Sequence, residues 1–277
     1  MNRIVYNKLQ RGGDSMIDAH MHLEQGSYTV DWLMEFINTA QSRGINEIWV
    51  LEHTHRFFEF APLYQQVKEV NDLQRKWIED KHLLPLSSYT NFIRDMRKKT
   101  FPITVHFGLE VCYFPQHEQF IRDMLAEFNY DFVVGSIHFI DNMAYDLKGI
   151  SEATLWDRYD TDWIWKRYFE LMEALIKSDL FDGTAHPDTL KMFHRMPEFD
   201  TTANWNRIAD LLVKHQMYTE NNVGCYYRYN HEEMGLNDKI LQIFKDHHVK
   251  LYCATDAHNP KFVGIHLDEI KDKTLYD

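Results

Sequence analysis

Short apolar runs alternate with longer stretches of helical periodicity along most of the chain. The strand-like runs are MIDAH (16–20), EIWVLEH (47–53), ITVHFGLEV (103–111), DFVVGSIHF (131–139), LFDGTAH (180–186), MYTENN (217–222) and KLYCATDAH (250–258). Between them the pattern predicts helices near 30–43, 62–98, 116–127, 161–178, 201–215, 237–247 and 260–271. Pro85 predicts a break in the longest of these, because a helix interior loses a hydrogen bond and clashes at proline. Gly44 in SRGI predicts a helix end, and FDTTANW (199–205) supplies Asp and Thr to cap a helix start. Seven strand–helix units in alternation predict a mainly parallel sheet, closed or nearly closed. With no repeat, low-complexity tract or linker in between, residues 16–277 are expected to form a single barrel domain.

The polar residues that follow the apolar runs change the picture. Run one ends in His20-Met21-His22, run two in Glu52-His53, and run three carries Glu110. Run four holds His138, run five ends at His186, and run seven ends in Asp256-Ala257-His258. A lone histidine there is most often a locally hydrogen-bonded side chain. Six strands ending this way is different, because parallel barrel strands bring their C-terminal ends to one mouth. So many imidazoles and carboxylates would repel one another or stay unsatisfied without a cation. The pattern therefore predicts a cluster of metal ions.

Composition narrows the class. Forty-two acidic residues outweigh 30 basic ones, and the net charge of −12 disfavours a partner built of nucleic acid phosphates. No apolar run approaches the roughly 18 residues needed to span a bilayer, so no membrane partner is expected. Three cysteines at scattered positions imply no disulfide framework. With no signal-peptide pattern at the N-terminus, a reducing, cytoplasmic setting is expected. Residues 1–15 read as a leader or an expression remnant, Met16 being a plausible second start, and carry no assigned role.

Taken in order, H-x-H, [D/E]-H, G-[L/I]-E, S-x-H, H-P and D-x-H resemble the polymerase and histidinol phosphatase (PHP) domain family from Met16 onward. GLEVCYFP (108–115), DFVVGSIHFID (131–141) and TENNVGCYYRY (219–229) resemble its histidinol-phosphate phosphatase branch more specifically. The resemblance implies an α/β fold, a distorted (β/α)7 barrel of TIM-barrel-like form. It implies that His20, His22, Glu110 and Asp256 hold one metal, and that Glu110 bridges to a second held by His138 and His186. His53 and His258 would belong to a third. Two or three divalent ions are thus implied, and the mixed ligands suit zinc, iron or manganese.

The implied reaction is hydrolysis of a small phosphomonoester: L-histidinol phosphate to L-histidinol and phosphate, a step of histidine biosynthesis. Two cations about 3.5–4 Å apart acidify a shared water, whose hydroxide attacks phosphorus in line. Glu110, Asp256 and His258 would form the catalytic set. Arg158, Arg195 and Arg228 leave the active end on loops and are the candidates for binding phosphate, with Trp156, Tyr226 and Tyr227 beside the leaving group. A phosphotyrosine phosphatase or general phosphoesterase of the same scaffold stays open, as does a non-catalytic metal-binding module. The oligomeric state is left open.

The chain departs from the family pattern at one place. A further histidine is expected about six residues after the H-x-H pair, and Tyr28 stands there instead. Glu24, Gln25 or His55 are the candidates to replace it. His106 is expected inside the barrel, and His82, His117, His194, His215, His231, His247, His248 and His266 are expected to be solvated or locally bonded. Cys112 and Cys225 read as small core residues.

Overall fold

Strands form where the apolar runs lie, and most stop at the polar residues that follow. A computed structural model of the chain describes residues 16–81 and 83–274; the possible leader, 1–15, and His82 lie outside the described residues. Seven strands, β1 (Met16–Met21), β2 (Ile45–Val50), β3 (Thr104–Cys112), β4 (Phe132–Ser136), β7 (Gly183–Thr184), β8 (Tyr218–Asn222) and β9 (Lys250–Ala254), make one sheet in that order. All six neighbouring pairs are parallel. β1 and β9 meet at a parallel bridge between Met21 and Ala257, where His22 N donates to Ala257 O at 2.8 Å. The expected (β/α)7 barrel is therefore nearly closed, and it closes beside the ligand residues.

Helices α1 (Val30–Ser42), α5 (Glu118–Ala126), α6 (Thr161–Lys177), α7 (Thr202–Lys214) and α9 (Asp238–Asp246) match their predicted spans within two residues. Gly44, at φ +73°, ends α1 as expected of a residue that tolerates the left-handed region. The 62–98 stretch is instead a 3₁₀ turn (58–64) followed by α2 (Gln65–Val70), α3 (Asp72–Glu79) and α4 (Leu86–Met96), with Pro85 capping the last. The final helix, α10 (Leu267–Thr274), starts later than predicted, behind Gly264 at φ +71°. Two elements were not foreseen: α8 (Gly224–Tyr229), and a hairpin of β5 (Phe139–Ile140) and β6 (Met143–Ala144). Asp141 and Asn142 turn that hairpin at φ +47° and +68°, values that suit these residue types. None of the described helices is long and apolar enough to cross a membrane.

Two apolar layers result. The larger lies between barrel and helices; the smaller fills the barrel with Ala19, Trp49, Leu51, Phe132, Val134, Ala185, Tyr218 and Ala254. Gly183 is needed on this inner face, since a Cβ there would stand 2.5 Å from the Tyr218 ring. His106 sits low on the same face, 3.4 Å from Glu47 and edge-on to Trp49. Counting by twos up a strand leads from this plug to the mouth: Trp49 and Leu51 to His53, Val134 and Ser136 to His138, Ala254 to Asp256.

Candidate metal centre

Four ligand positions depend on three backbone irregularities. The register of β1 against β2 shifts between Asp18 and Met21. Ile17 and Ala19 line the barrel below that shift, whereas Met21 joins the outer core and both His20 and His22 turn into the mouth. His186 (φ +26°) and Asp256 (φ +53°) lie in the left-handed region, a conformation that costs about 1–3 kcal/mol for such residues and recurs at functional sites. These turns end β7 and β9 early and aim the two side chains inward.

Glu110 is the hub. Its Oε1 meets His138 Nε2 at 2.9 Å and His186 Nε2 at 3.3 Å. Its Oε2 lies 2.9 Å from His53 Nδ1 and 3.3 Å from Nε2 of both His20 and His22. Asp256 Oδ1 lies 3.3 Å from His22 Nε2 and 3.1 Å from His258 Nε2. All eight predicted ligands thus come together at one mouth. Four triads of their ligand atoms fall within 4.8 Å: His20–Glu110–His186, His53–Glu110–His138, His20–His22–Asp256 and His22–His53–His258. Glu110 belongs to two of them, as a bridging ligand would.

The donor set fits divalent cations. Glu110 Oε2, Asp256 Oδ1 and His22 Nδ1 are buried without a hydrogen bond, and Nε2 of His20 and His22 are only 2.9 Å apart. Buried polar atoms left in this state are costly unless something charged satisfies them. Burial opposes charging Glu110, yet the imidazoles around it hold it well below the carboxylate range. Burial pushes His53 down to about 3, leaving it in the neutral, metal-binding form. Burial also opposes charge on His22 and His138. Asp256 and Glu110 nonetheless lift His22 to about 9, and Asp146 and Glu110 lift His138 to about 10. On those two residues a cation would replace a proton.

Behind the cluster stands a set of carboxylates that the sequence reading largely missed. His138 Nδ1 bonds Asp146 at 2.6 Å, His258 Nδ1 bonds Glu24 at 2.5 Å, and His20 Nδ1 bonds Glu220 at 2.8 Å. Each pairing leaves Nε2 facing the cluster and holds the ring in one orientation. For Glu220 the signal was present in the sequence: it follows Tyr218 by two on the inward face of MYTENN. Nothing in the sequence foretold Asp146, which the β5–β6 hairpin delivers.

A cavity of about 230 Å³ opens on the cluster. Arg228, on α8, lines it and bonds Asp256 Oδ2 at 2.6 Å. The other two arginines are not brought there. Arg158 is exposed outside the cavity lining, and Arg195 bonds Asp157 at 2.6 Å on the surface. Trp156, Tyr226 and Tyr227 are also outside the lining; its aromatic rings are Tyr64, Trp77, Phe139 and Tyr229. Cys112 and Cys225 do line it.

Tyr28 joins none of the ligand triads. It packs on Tyr89 and Phe92 and its hydroxyl accepts from Arg56 at 3.2 Å. Gln25 pairs with Asn259, and His55 stacks between His53 and Trp77 without joining a ligand triad. Of the three possible stand-ins, only Glu24 is seen to hydrogen-bond a cluster histidine, His258. A separate group, His194, His231 and Glu232, also falls within ligating distance, but His231 Nδ1 already accepts the Glu233 amide.

The PHP domain family model matches residues 18–223. The "Probable histidinol-phosphatase" of Deinococcus radiodurans is 20% identical over 262 residues, covering 93% of this chain and 92% of the relative. A structure named "putative histidinol phosphatase hisK" from Listeria monocytogenes superposes with a TM-score of 0.73 at 18% identity, covering 91% of this chain and 99% of the other. The histidinol phosphate phosphatase of Lactococcus lactis, solved with zinc, L-histidinol and phosphate, has a TM-score of 0.58 at 20% identity, with 95% of each chain covered. Six ligand-bearing strand ends, a seven-stranded barrel that carries them to one mouth, and a family match over most of the length agree: the chain belongs to the PHP domain family.

Proposed function

We propose that this metal-dependent phosphoesterase hydrolyses L-histidinol phosphate to L-histidinol and inorganic phosphate. The observation that carries the reading is the cavity itself: it is small, opens directly on the ligand cluster, and is lined by Arg228 beside Asp256 and by the rings of Tyr64, Trp77, Phe139 and Tyr229. That arrangement suits a phosphate joined to a compact organic group. The near full-length similarity to histidinol phosphatases supports the choice of that group.

Glu110, His20, His22, His138, His186 and Asp256 would hold two divalent cations, with His53 and His258 toward a third. Bound there, such ions supply Lewis acidity to the phosphoryl oxygens and lower the pKa of water at neutral pH. The chain's own residues do the rest. Burial opposes the charge of Asp256, but Arg228 and His258 hold it ionised, so its Oδ1 keeps its lone pairs for the cluster. Arg228 presents an always-charged fork to the non-bridging oxygens and orients the ester for in-line departure. No thiol takes part: burial pushes Cys225 up to about 12 and Cys112 well above the thiol range, so both stay protonated.

The test is elemental analysis of the purified protein followed by a phosphatase panel. L-histidinol phosphate is expected to show the highest kcat/KM. A phosphotyrosine peptide turned over faster would move the chain to the alternative phosphatase class. Retention of metal with no phosphate release from any ester would make it a non-catalytic module.

A further inference from the structure

We infer that Glu220 is a positioning residue that couples the ligand sets of the first and second metals. This rests on the reading of the mouth as a metal centre, and not on the identity of the substrate. Glu220 lies on β8, the one barrel strand to which the sequence motifs assign no ligand, and is fully buried. Its two oxygens divide their work. Oε1 accepts from His20 Nδ1 at 2.8 Å. Oε2 accepts from the backbone N of His186 at 3.0 Å and from Asn222 Nδ2 at 2.8 Å. By the assignment that the family resemblance implies, His20 would hold the first metal with His22, Glu110 and Asp256, and His186 the second with Glu110 and His138; in the structure His20, Glu110 and His186 also form one triad, where the two sets would meet. One carboxylate therefore fixes an imidazole ring for one ion and the strained turn, φ +26°, that aims the imidazole for the other.

The chemistry of the group matters as much as its place. All three partners are donors, and an ionised carboxylate is acceptor-only, so every contact is satisfied. A glutamine of the same shape must turn an NH2 toward either the His186 amide or the His20 ring. No lysine or arginine pairs with Glu220 among the described residues; its contact with positive charge runs through His20 toward the cluster. A buried carboxylate without a cation is costly, and a metal on His20 Nε2 is what would offset it. The effect extends one step further: Asn222 Oδ1 accepts from Gly224 N at 2.8 Å, at the start of α8, which carries Arg228 to Asp256.

The experiment compares wild type and Glu220→Gln, loaded with zinc, by metal content and by the rate of metal loss to a competing chelator, with circular dichroism as the fold control. Zinc binding about 10- to 100-fold weaker is expected for the variant, as for other outer partners of ligating histidines. Both inner ions should be lost together, because the residue serves both sets. Wild-type content and loss rates in a folded Glu220→Gln protein would overturn the coupling. Weakening confined to one ion would overturn it too. If wild type itself binds no zinc, the metal-centre reading fails as well, so the two failures are distinct. Should the variant not fold, the nitrogen-15 spectrum of zinc-loaded wild type decides. A metal on His20 Nε2 with a slowly exchanging proton on Nδ1 is expected, and ligation through Nδ1 would refute the inference.

Discussion

The two sides of the ligand cluster are held differently. On the inner side the His20, Glu110 and His186 side chains are 0, 0 and 8% exposed and that of His138 19%; Glu220, from a barrel strand, stands behind His20, and Asp146, from the segment just past the β5–β6 hairpin, behind His138. On the outer side the His53 and His258 side chains are 14 and 13% exposed. There, one loop carboxylate, Glu24, holds His258, and the position where the family has another histidine is Tyr28, committed to Arg56 and an aromatic stack. Ligands pre-set by a carboxylate behind them lose little freedom when an ion binds, and of the outer pair only His258 has one among the described residues. The inner pair of sites should therefore be tight and the outer site weak.

The largest expected effect breaks the inner side. Glu110→Ala should reduce phosphate release to background, beyond the about 100-fold loss typical of an outer partner, while circular dichroism still reports the fold. Most activity surviving in protein free of wild type would remove Glu110 from the hub. Next, Arg228→Ala keeps all eight candidate ligands but removes the guanidinium from the cavity and from Asp256 Oδ2, and should cut kcat/KM by about 10²–10³, as loss of a transition-state donor does. An unchanged value would return the phosphate role to Arg158 or Arg195.

Chelator titration sharpens the comparison directly. One equivalent of metal should leave before the other two, and inorganic phosphate should retain it, since a ligand that binds only the loaded form stabilises that form. Simultaneous loss of all metal, indifferent to phosphate, would mean the two sides are equally held. Glu24→Gln should then weaken the outer equivalent alone, by about tenfold; an effect shared by all ions would show that Glu24 acts on the whole cluster.

The smallest effect concerns pH in the metal-stripped protein. His22 and His138 are raised there to about 9 and about 10 from an ordinary 6.5. The folded state thus holds these protons more tightly than the unfolded state. Their contribution to stability is full below about pH 6.5 and is lost as pH rises toward 9–10. Thermal melts of stripped protein should fall across that window, and melts of zinc-loaded protein should not. Parallel curves for the two forms would show that the ligands do not exchange protons for metal.

Much of this was legible from order along the chain. The alternation of strand and helix, and the polar residues at six strand ends, are properties of period and position; parallel strands leave their C-terminal ends no choice but to share a mouth. Pro85 and Gly44 announced their breaks because proline and glycine act on their own backbone. Which of the three candidate arginines faces the cavity was not legible. Three loops leave the active end with an arginine, and only the short helix α8, unforeseen, turns Arg228 into the cavity while Arg195 finds Asp157.

By itself, then, the sequence determined the barrel, the imidazole and carboxylate types of the candidate ligands, and a tyrosine at position 28 where the family resemblance leads one to expect a further histidine, since each is carried by residue identity and spacing. Only the tertiary structure decided how the gap at Tyr28 is met, which carboxylate stands behind which imidazole, and where the chain bends to aim His186 and Asp256. Those contacts join residues as far apart as Glu24 and His258 or His20 and Glu220. Hydrogen bonds of that kind depend on ångström-scale placement and on two backbone turns that non-glycine residues adopt only when the surrounding fold imposes them.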